Sequence, residues 1–395
     1  MASLNMTSFA SGLKQLYTPE KVQNMVYQDN PLYALLPKNE KFNGKNMVIP
    51  VIYGNPQGAS GDFATAKANK TASRIKDFTI TRNKEYALAS VDNETMMASE
   101  GNSGAFMEAF TLEMDGAIHT VARALAIAVY GSGTGKIGQI AAGGISSLVI
   151  TLSQVEDITN FEVDQKLNFS TADGGGSVKA TEPTITNIDR DAGTITVSDA
   201  TGLAALDYIF RDGDYDNKLK GLQAWLPTTV TSTPFFGMDR SVDKTRLGGI
   251  QITGSNKPIE EALIEAASRI AREGGKPTHV FMSYAKYADL EKSLGSKVQY
   301  VDLKVSAEIG FRGILLNGPR GMMKVIPDQN CPSNKAFMLQ LDTWKLYSLG
   351  KAPQILNLDS LQSLREDQAD AVELRVGAYA QLACNAPGWN GVINF

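Results

Sequence analysis

Histidine and cysteine are nearly absent, with 2 of each in 395 residues. They are His119, His279, Cys331 and Cys384. A zinc site of the usual His/Cys kind would need all of them in one place, and neither a CxxC nor an HxxxH spacing occurs. So few cysteines supply no disulfide framework, which fits a reducing compartment. Long apolar runs are missing too: none approaches the ~18–20 residues of a membrane span. The opening residues Met1 to Met6 lack a basic start followed by an apolar stretch, so no secretory leader is expected. Basic charge is not in excess. With 38 Lys and Arg against 42 Asp and Glu the net charge is -4, which argues against a dense positive coat for nucleic acid. Aromatic residues are only 8%. Carboxylates, lysine and serine remain the residue types through which an enzyme could act.

What is present is glycine, 36 residues of it, and an ordinary soluble balance of 43% hydrophobic and 20% charged residues. That balance excludes global disorder. At about 150 residues per domain the length predicts two or three domains. The chain reads as large, turn-rich and mostly structural.

The first 39 residues carry Tyr17, Tyr27, Tyr33, Leu35 and Leu36 among Pro19, Pro31 and Pro37. Proline at that spacing disfavours one continuous helix, so an extended arm is expected, with a short helix near residues 19–27. Residues 46–53 read as a strand. Residues 54–73 are soft and polar, with Phe63 as their large apolar residue, and cannot bury a core of their own. Residues 74–91 resume strand character, with Arg82-Asn83-Lys84 read as a turn. Two strands around a polar middle predict a projecting hairpin, charged through Arg74, Lys76, Arg82, Lys84 and Glu85. Such a hairpin is marginal alone in water and is expected to lean on a partner.

The strongest periodic signal is residues 104–130. Phe106, Phe110, Met114, Ile118, Val121, Leu125 and Val129 form one helical stripe between a Ser103 cap and a Gly131 stop. Gly116 inside it predicts a bend or a close contact. Residues 138–220 then alternate short strand runs with sharp turns and predict an inserted small barrel or sandwich. Helices return at residues 259–273, and after the Ser283 cap as far as Gly295. Late strands are predicted over 322–326, 336–347 and 371–382.

No chemical motif survives its structural requirements. Gly133-Thr134-Gly135-Lys136-Ile137-Gly138 satisfies GxGxxG, but a dinucleotide loop needs a strand before and a helix after it, and here the order is reversed. A flexible joint after a helix is the plainer reading. Asp212-Gly213-Asp214-Tyr215-Asp216-Asn217 resembles the start of a calcium loop, but Asn217 stands at its glycine position and Gln223 replaces the bidentate Glu. Asp212, Asp214 and Asp216 are therefore weak metal candidates beside a solvated turn. His119, next to the helix stripe, reads as a hydrogen-bonded packing residue. Glu260, Glu261 and Glu265 read as a solvated helix face. No GxSxG elbow occurs, and no catalytic residue or cofactor is assigned.

The order of elements resembles the tailed-bacteriophage major capsid proteins of the Hong Kong 97 type fold. Two phrases add to the resemblance: Phe236-Gly237-Met238-Asp239-Arg240-Ser241-Val242-Asp243 with Leu247-Gly248-Gly249, and Asp370-Ala371-Val372-Glu373-Leu374-Arg375 leading to Tyr379-Ala380-Gln381-Leu382. The resemblance implies an α+β chain divided into an N-terminal arm (1–39), an extended hairpin loop (40–100) and the spine helix of a peripheral domain (101–137). An inserted β module (138–221), an axial domain (222–325) and the peripheral β layer with the C-terminus (326–395) complete it. It implies no enzyme but a virion shell protein, assembled in the host cytoplasm as pentamers and hexamers around double-stranded DNA, through a procapsid that expands. Implied partners are other copies of the chain, a separate scaffolding protein, a portal at one vertex, a decoration or cement protein, and DNA contacted without sequence preference; no membrane is involved. Tyr17, Tyr33, Phe63, Arg74, Lys76, Arg82, Lys84 and Glu85 are the candidate inter-subunit contacts. Lys67, Lys70 and Lys76 could join an asparagine covalently only beside a buried acid, which a sequence does not display. The alternatives are an encapsulin-like nanocompartment shell, a carboxylate-dependent α+β enzyme, and a carbohydrate-binding protein built on the insertion.

Overall fold

The computed structural model describes residues 30–92, 103–295, 300–304, 310–356, 363–365 and 370–395. The arm before residue 30, with Tyr17 and the short helix expected there, lies outside the described residues. The long helix spans Ser103–Tyr130. At 1.5 Å per residue it is a rod of roughly 42 Å. Met114, Ile118, Val121, Leu125 and Val129 of the predicted stripe are all buried. The side chains of Phe106 and Phe110 are outside the described residues. The Gly131 amide closes the helix by donating to the Ile127 and Ala128 carbonyls. Two expectations on this helix need correction. A side chain at Gly116 would meet open space, so no close contact calls for glycine there. His119 is exposed and not a packing residue, because the buried arc passes through Ile118 and Ala122 and leaves it on the solvent side.

The helix packs on a six-stranded sheet organised by the 14-residue strand Ala371–Cys384. Val372, Leu374, Val376 and Ala378 point inward, as their alternation predicts. This strand pairs antiparallel with Trp344–Ser348 and, over ten positions from Ala371↔Asp92 to Ala380↔Asn83, with Asn83–Asp92. That second pairing corrects the expected turn at Arg82-Asn83-Lys84. The chain breaks its strand only at Arg82 and carries on into a different sheet. The half of residues 74–91 that alternates Ala89 and Val91 inward finds its apolar partner in the late strand, not in the preceding residues.

A seven-stranded mixed sheet forms a second layer, ordered Ile250–Thr253, Gly391–Asn394, Lys335–Leu339, His279–Met282, Gly321–Pro327, Gly310–Gly318, Tyr300–Lys304. Helices Ile259–Arg272 and Tyr284–Leu294 cover it and share a core of Ile252, Leu263, Ile270, Leu290, Val325 and Met338. Two strands from the last 70 residues, Lys335–Leu339 and Gly391–Asn394, thus pair here and not with Ala371–Cys384.

The insertion is a separate six-stranded antiparallel unit with its own core, including Ile140, Ile150, Phe161, Phe169, Ile195 and Ile209. Its edges meet: the Leu167 amide donates to the Pro183 carbonyl and the Ile185 amide to the Gln165 carbonyl. The sheet therefore curls into a small barrel, which removes its exposed edges. The barrel begins with strand Lys136–Ser146 and ends with Tyr208–Arg211, and these two are neighbours.

The candidate inter-subunit surface

The strands Asn46–Gly54 and Arg74–Thr81 form a two-stranded antiparallel ribbon. Its alternation separates two apolar faces. Ile49 opposite Phe78, with Val51 and Ile80, is buried in the main core. Ile52 opposite Ile75 lies on the other face at 65% and 56% exposure, with Val48 four residues before Ile52 on the same face. A two-stranded ribbon is weak in isolation, and here the buried face anchors it. Phe78 meets Trp225 edge-on at 4.8 Å, and Trp225 meets Phe235 at 5.1 Å and Trp344 at 6.3 Å. The indole of Trp225 donates to the Leu382 carbonyl at 3.0 Å, fixing the cluster to the late strand.

The Phe236-to-Asp243 phrase supplies the other side of this anchor. Phe236 has φ 48° and Gly237 φ 82°, a tight turn closed between Phe235 and Met238. The Thr79 amide donates to the Phe236 carbonyl at 2.9 Å. Arg240 is buried, donates to the Ala224 and Trp225 carbonyls at 2.9 and 3.2 Å, and sits 4.0 Å over the Phe235 ring. The phrase is structural: it clamps the root of the ribbon.

Residues 55–73 at the ribbon's end contain a short helix, Phe63–Ala68, where the composition suggests only soft chain. Asp62 caps it, accepting from the Thr65 amide at 2.8 Å and the Thr65 hydroxyl at 2.7 Å, and these bonds hold its carboxyl below the ordinary value. Phe63 stands 83% exposed at its first turn. Gln57 and Thr71 tie the base of the loop, amide to hydroxyl at 2.8 Å and amide to carbonyl at 3.0 Å.

The remaining contact candidates separate. Arg74 and Lys84 are exposed and Lys76 is half-buried. Arg82 donates to the Phe42 carbonyl and lies 5.0 Å over the Phe42 ring, within its own chain. Tyr33 is buried in its own core, its hydroxyl donating to the Ala352 carbonyl at 2.6 Å. Glu85 pairs with Lys218, which also meets Asp214 at 3.0 Å. Burial pushes both carboxyls up, and the Lys218 ammonium opposes the shift. This triad joins the start of strand Asn83–Asp92 to the segment leaving the barrel. No local signal announces it, because Glu85 lies 133 residues from Lys218.

Asp212, Asp214 and Asp216 do not converge. Asp212 accepts from the Asn168 amide at 2.9 Å and meets Lys166 at 3.3 Å, Asp214 faces Lys218, and Asp216 accepts from the Gly175 amide at 2.7 Å. Among the described residues no three of His, Cys, Asp and Glu gather as a metal site. The Gly133-to-Gly138 loop leads from helix to strand, and a side chain at Gly135 would run into the Asp214 carbonyl at 2.3 Å. Its glycine there serves that close approach.

Among curated proteins none matches this chain in sequence. Residues 205–371 match the family described as SU10 major capsid protein. Among solved structures, the cyanophage A-1(L) capsid asymmetric unit is similar over 93% of this chain and 92% of that chain, with 14% identity and a TM-score of 0.54. Weaker similarity extends to Mycobacterium phage Bobi, with 11% identity over 100% and 99% of the two chains and a TM-score of 0.43. It also extends to the holo-SrpI encapsulin complex from Synechococcus elongatus PCC 7942, with 10% identity over 100% and 96% and a TM-score of 0.45. The architecture shared with the cyanophage capsid gives the chain the Hong Kong 97 type major capsid fold with an inserted β barrel, and its residues 205–371 match the major capsid family model.

Proposed function

We propose that this chain builds an icosahedral phage head from pentamers and hexamers of itself, enclosing double-stranded DNA, through a procapsid that expands. The observation that supports this most is the ribbon. One face is spent on the chain's own core, and the other offers Val48, Ile52 and Ile75 to solvent with an exposed Phe63 beyond them. An apolar ribbon face of this kind gains stability by covering a neighbour. In this reading residues 40–100 reach the next subunit, residues 222–325 gather near the capsomer centre, and residues 326–395 return mainly to the outer layer. A scaffolding protein, a portal and a cement protein are partners of the same reading, and the chain performs no catalysis.

Electron microscopy of the purified full-length chain tests it, with and without its scaffolding partner. Closed icosahedral particles whose DNA resists nuclease are the expected result. Particles enclosing a cargo protein instead of DNA would make it a nanocompartment shell, and a lone 42.5 kDa particle under all conditions would end the reading.

A further inference from the structure

The Asp243-to-Gly249 stretch forms one wall of a concave site for which the shell reading gives no use. The cavity, about 320 Å³, is lined by Thr228, Thr229, Lys244, Thr245, Arg269 and Arg272. Three cations from two separate helices and three hydroxyl donors line one hollow, in a chain whose net charge is -4. The wall of the hollow is closely packed at the Gly248-Gly249 pair. A side chain at Gly248 would strike Val230 at 2.5 Å, and Gly249, at φ 78°, would strike Leu226 at 2.2 Å.

The cations are held but not neutralised. Arg269 donates to the Gln251 carbonyl at 3.0 Å, which orients its guanidinium and leaves donors over. Its contact with Glu265 is 3.9 Å, and that of Arg272 with Glu273 is 3.5 Å. Exposed pairs at such distances are weak. Among the described residues Lys244 has neither an ion pair nor a side-chain hydrogen bond. Guanidinium forks, an ammonium and threonine hydroxyls are donor groups only toward an anion, and together they suit a tetrahedral oxyanion with several acceptor oxygens.

We propose that this pocket binds phosphate groups, and that its occupant in the shell is the phosphate backbone of duplex DNA. The oxyanion preference stands on the pocket alone, and the choice of DNA as occupant rests on the proposed function. Such a contact positions without reading bases.

The test uses the full-length chain, Lys244→Gln/Arg272→Gln, and Lys244→Arg as the conservative variant. Both altered side chains are exposed, so folding is expected to be intact; equal unfolding midpoints in chloride check this. Inorganic phosphate, titrated at constant ionic strength, should raise the unfolding midpoint of the parent and of Lys244→Arg and should leave the double variant unmoved. A fluorescent 16-base-pair duplex should bind the double variant about tenfold more weakly, with a salt slope smaller by about 1 per phosphate contact removed. An equal phosphate response in parent and double variant would overturn the pocket. A phosphate response lost with duplex binding unchanged would overturn DNA as the occupant. Micrographs of the same preparations report separately on whether shells form at all.

Discussion

His279 stacks on Phe281 with ring centroids 6.2 Å apart and lies opposite Lys324 in a parallel strand pair. Burial, with the Lys324 charge behind it, pushes its imidazole down to about 4. The folded value lies below the ordinary 6.5, so protonation favours the unfolded chain. Its contribution is fully present above pH 6.5 and is lost as pH falls toward 4. His279→Gln should therefore flatten the fall of the unfolding midpoint between pH 6.5 and 5; an unchanged slope would show the ring is not the titrating group. Asp328 shows the complementary case. Its buried carboxylate accepts from the Leu32 amide at 3.2 Å, the Tyr130 hydroxyl at 2.9 Å and the Asn330 amide at 2.9 Å. Burial pushes its pKa up, and these donors oppose that. It holds the segment after residue 30 against the end of the long helix. Tyr130→Phe removes one buried hydrogen bond to the Asp328 carboxyl and should cost about 1–3 kcal/mol in urea unfolding, with an unchanged slope against urea.

At the scale of elements, the ribbon separates folding from assembly. Its inner face belongs to the main core, while residues 55–73 add a capped helix that buries none of its own residues. Replacing residues 55–73 with a short Gly-Ser turn should move the unfolding midpoint by no more than about 4 °C. It should also sharply reduce the yield of closed particles in micrographs; normal yields would remove the loop from assembly. The elements visible in the sequence were those with local causes. The long helix follows from its 3.6-residue stripe between Ser103 and Gly131, and Ala371–Cys384 from its alternation. The break at Arg82 was not visible, because what decides it is a partner strand almost 300 residues later. Tyr33 reads as an arm residue in sequence for the same reason: its partners, Ala352 and the core around it, are set by the fold. The pocket of Lys244, Arg269 and Arg272 is equally silent in sequence, since three separate segments supply its walls.

At the scale of the molecule, three hydrophobic cores divide the work among the described residues, and the barrel's is independent of the other two. The barrel touches the rest through polar contacts. Arg123 meets Glu162 at 3.7 Å, Ser333 donates to Gln154 at 2.8 Å, and Lys218 pairs with Glu85 just beyond the barrel's last strand. The exposed contacts among these contribute about 0–1 kcal/mol each, and the buried Lys218–Glu85 pair lies outside residues 137–210. Replacing residues 137–210 with a Gly-Ser linker should thus leave a cooperatively unfolding protein, with far-ultraviolet dichroism richer in helix per residue. Loss of cooperative unfolding would show that the barrel is needed to complete the main core.

The barrel's first and last strands are hydrogen-bonded neighbours, with Phe210 opposite Lys136. The two points at which the polypeptide crosses into and out of it are therefore about one strand spacing, some 5 Å, apart. To the rest of the subunit that is the span of a tight turn, whatever lies beyond it. The site is a socket: a foreign domain whose termini lie close together could be spliced there and carried in every copy, without stretching the backbone that receives it.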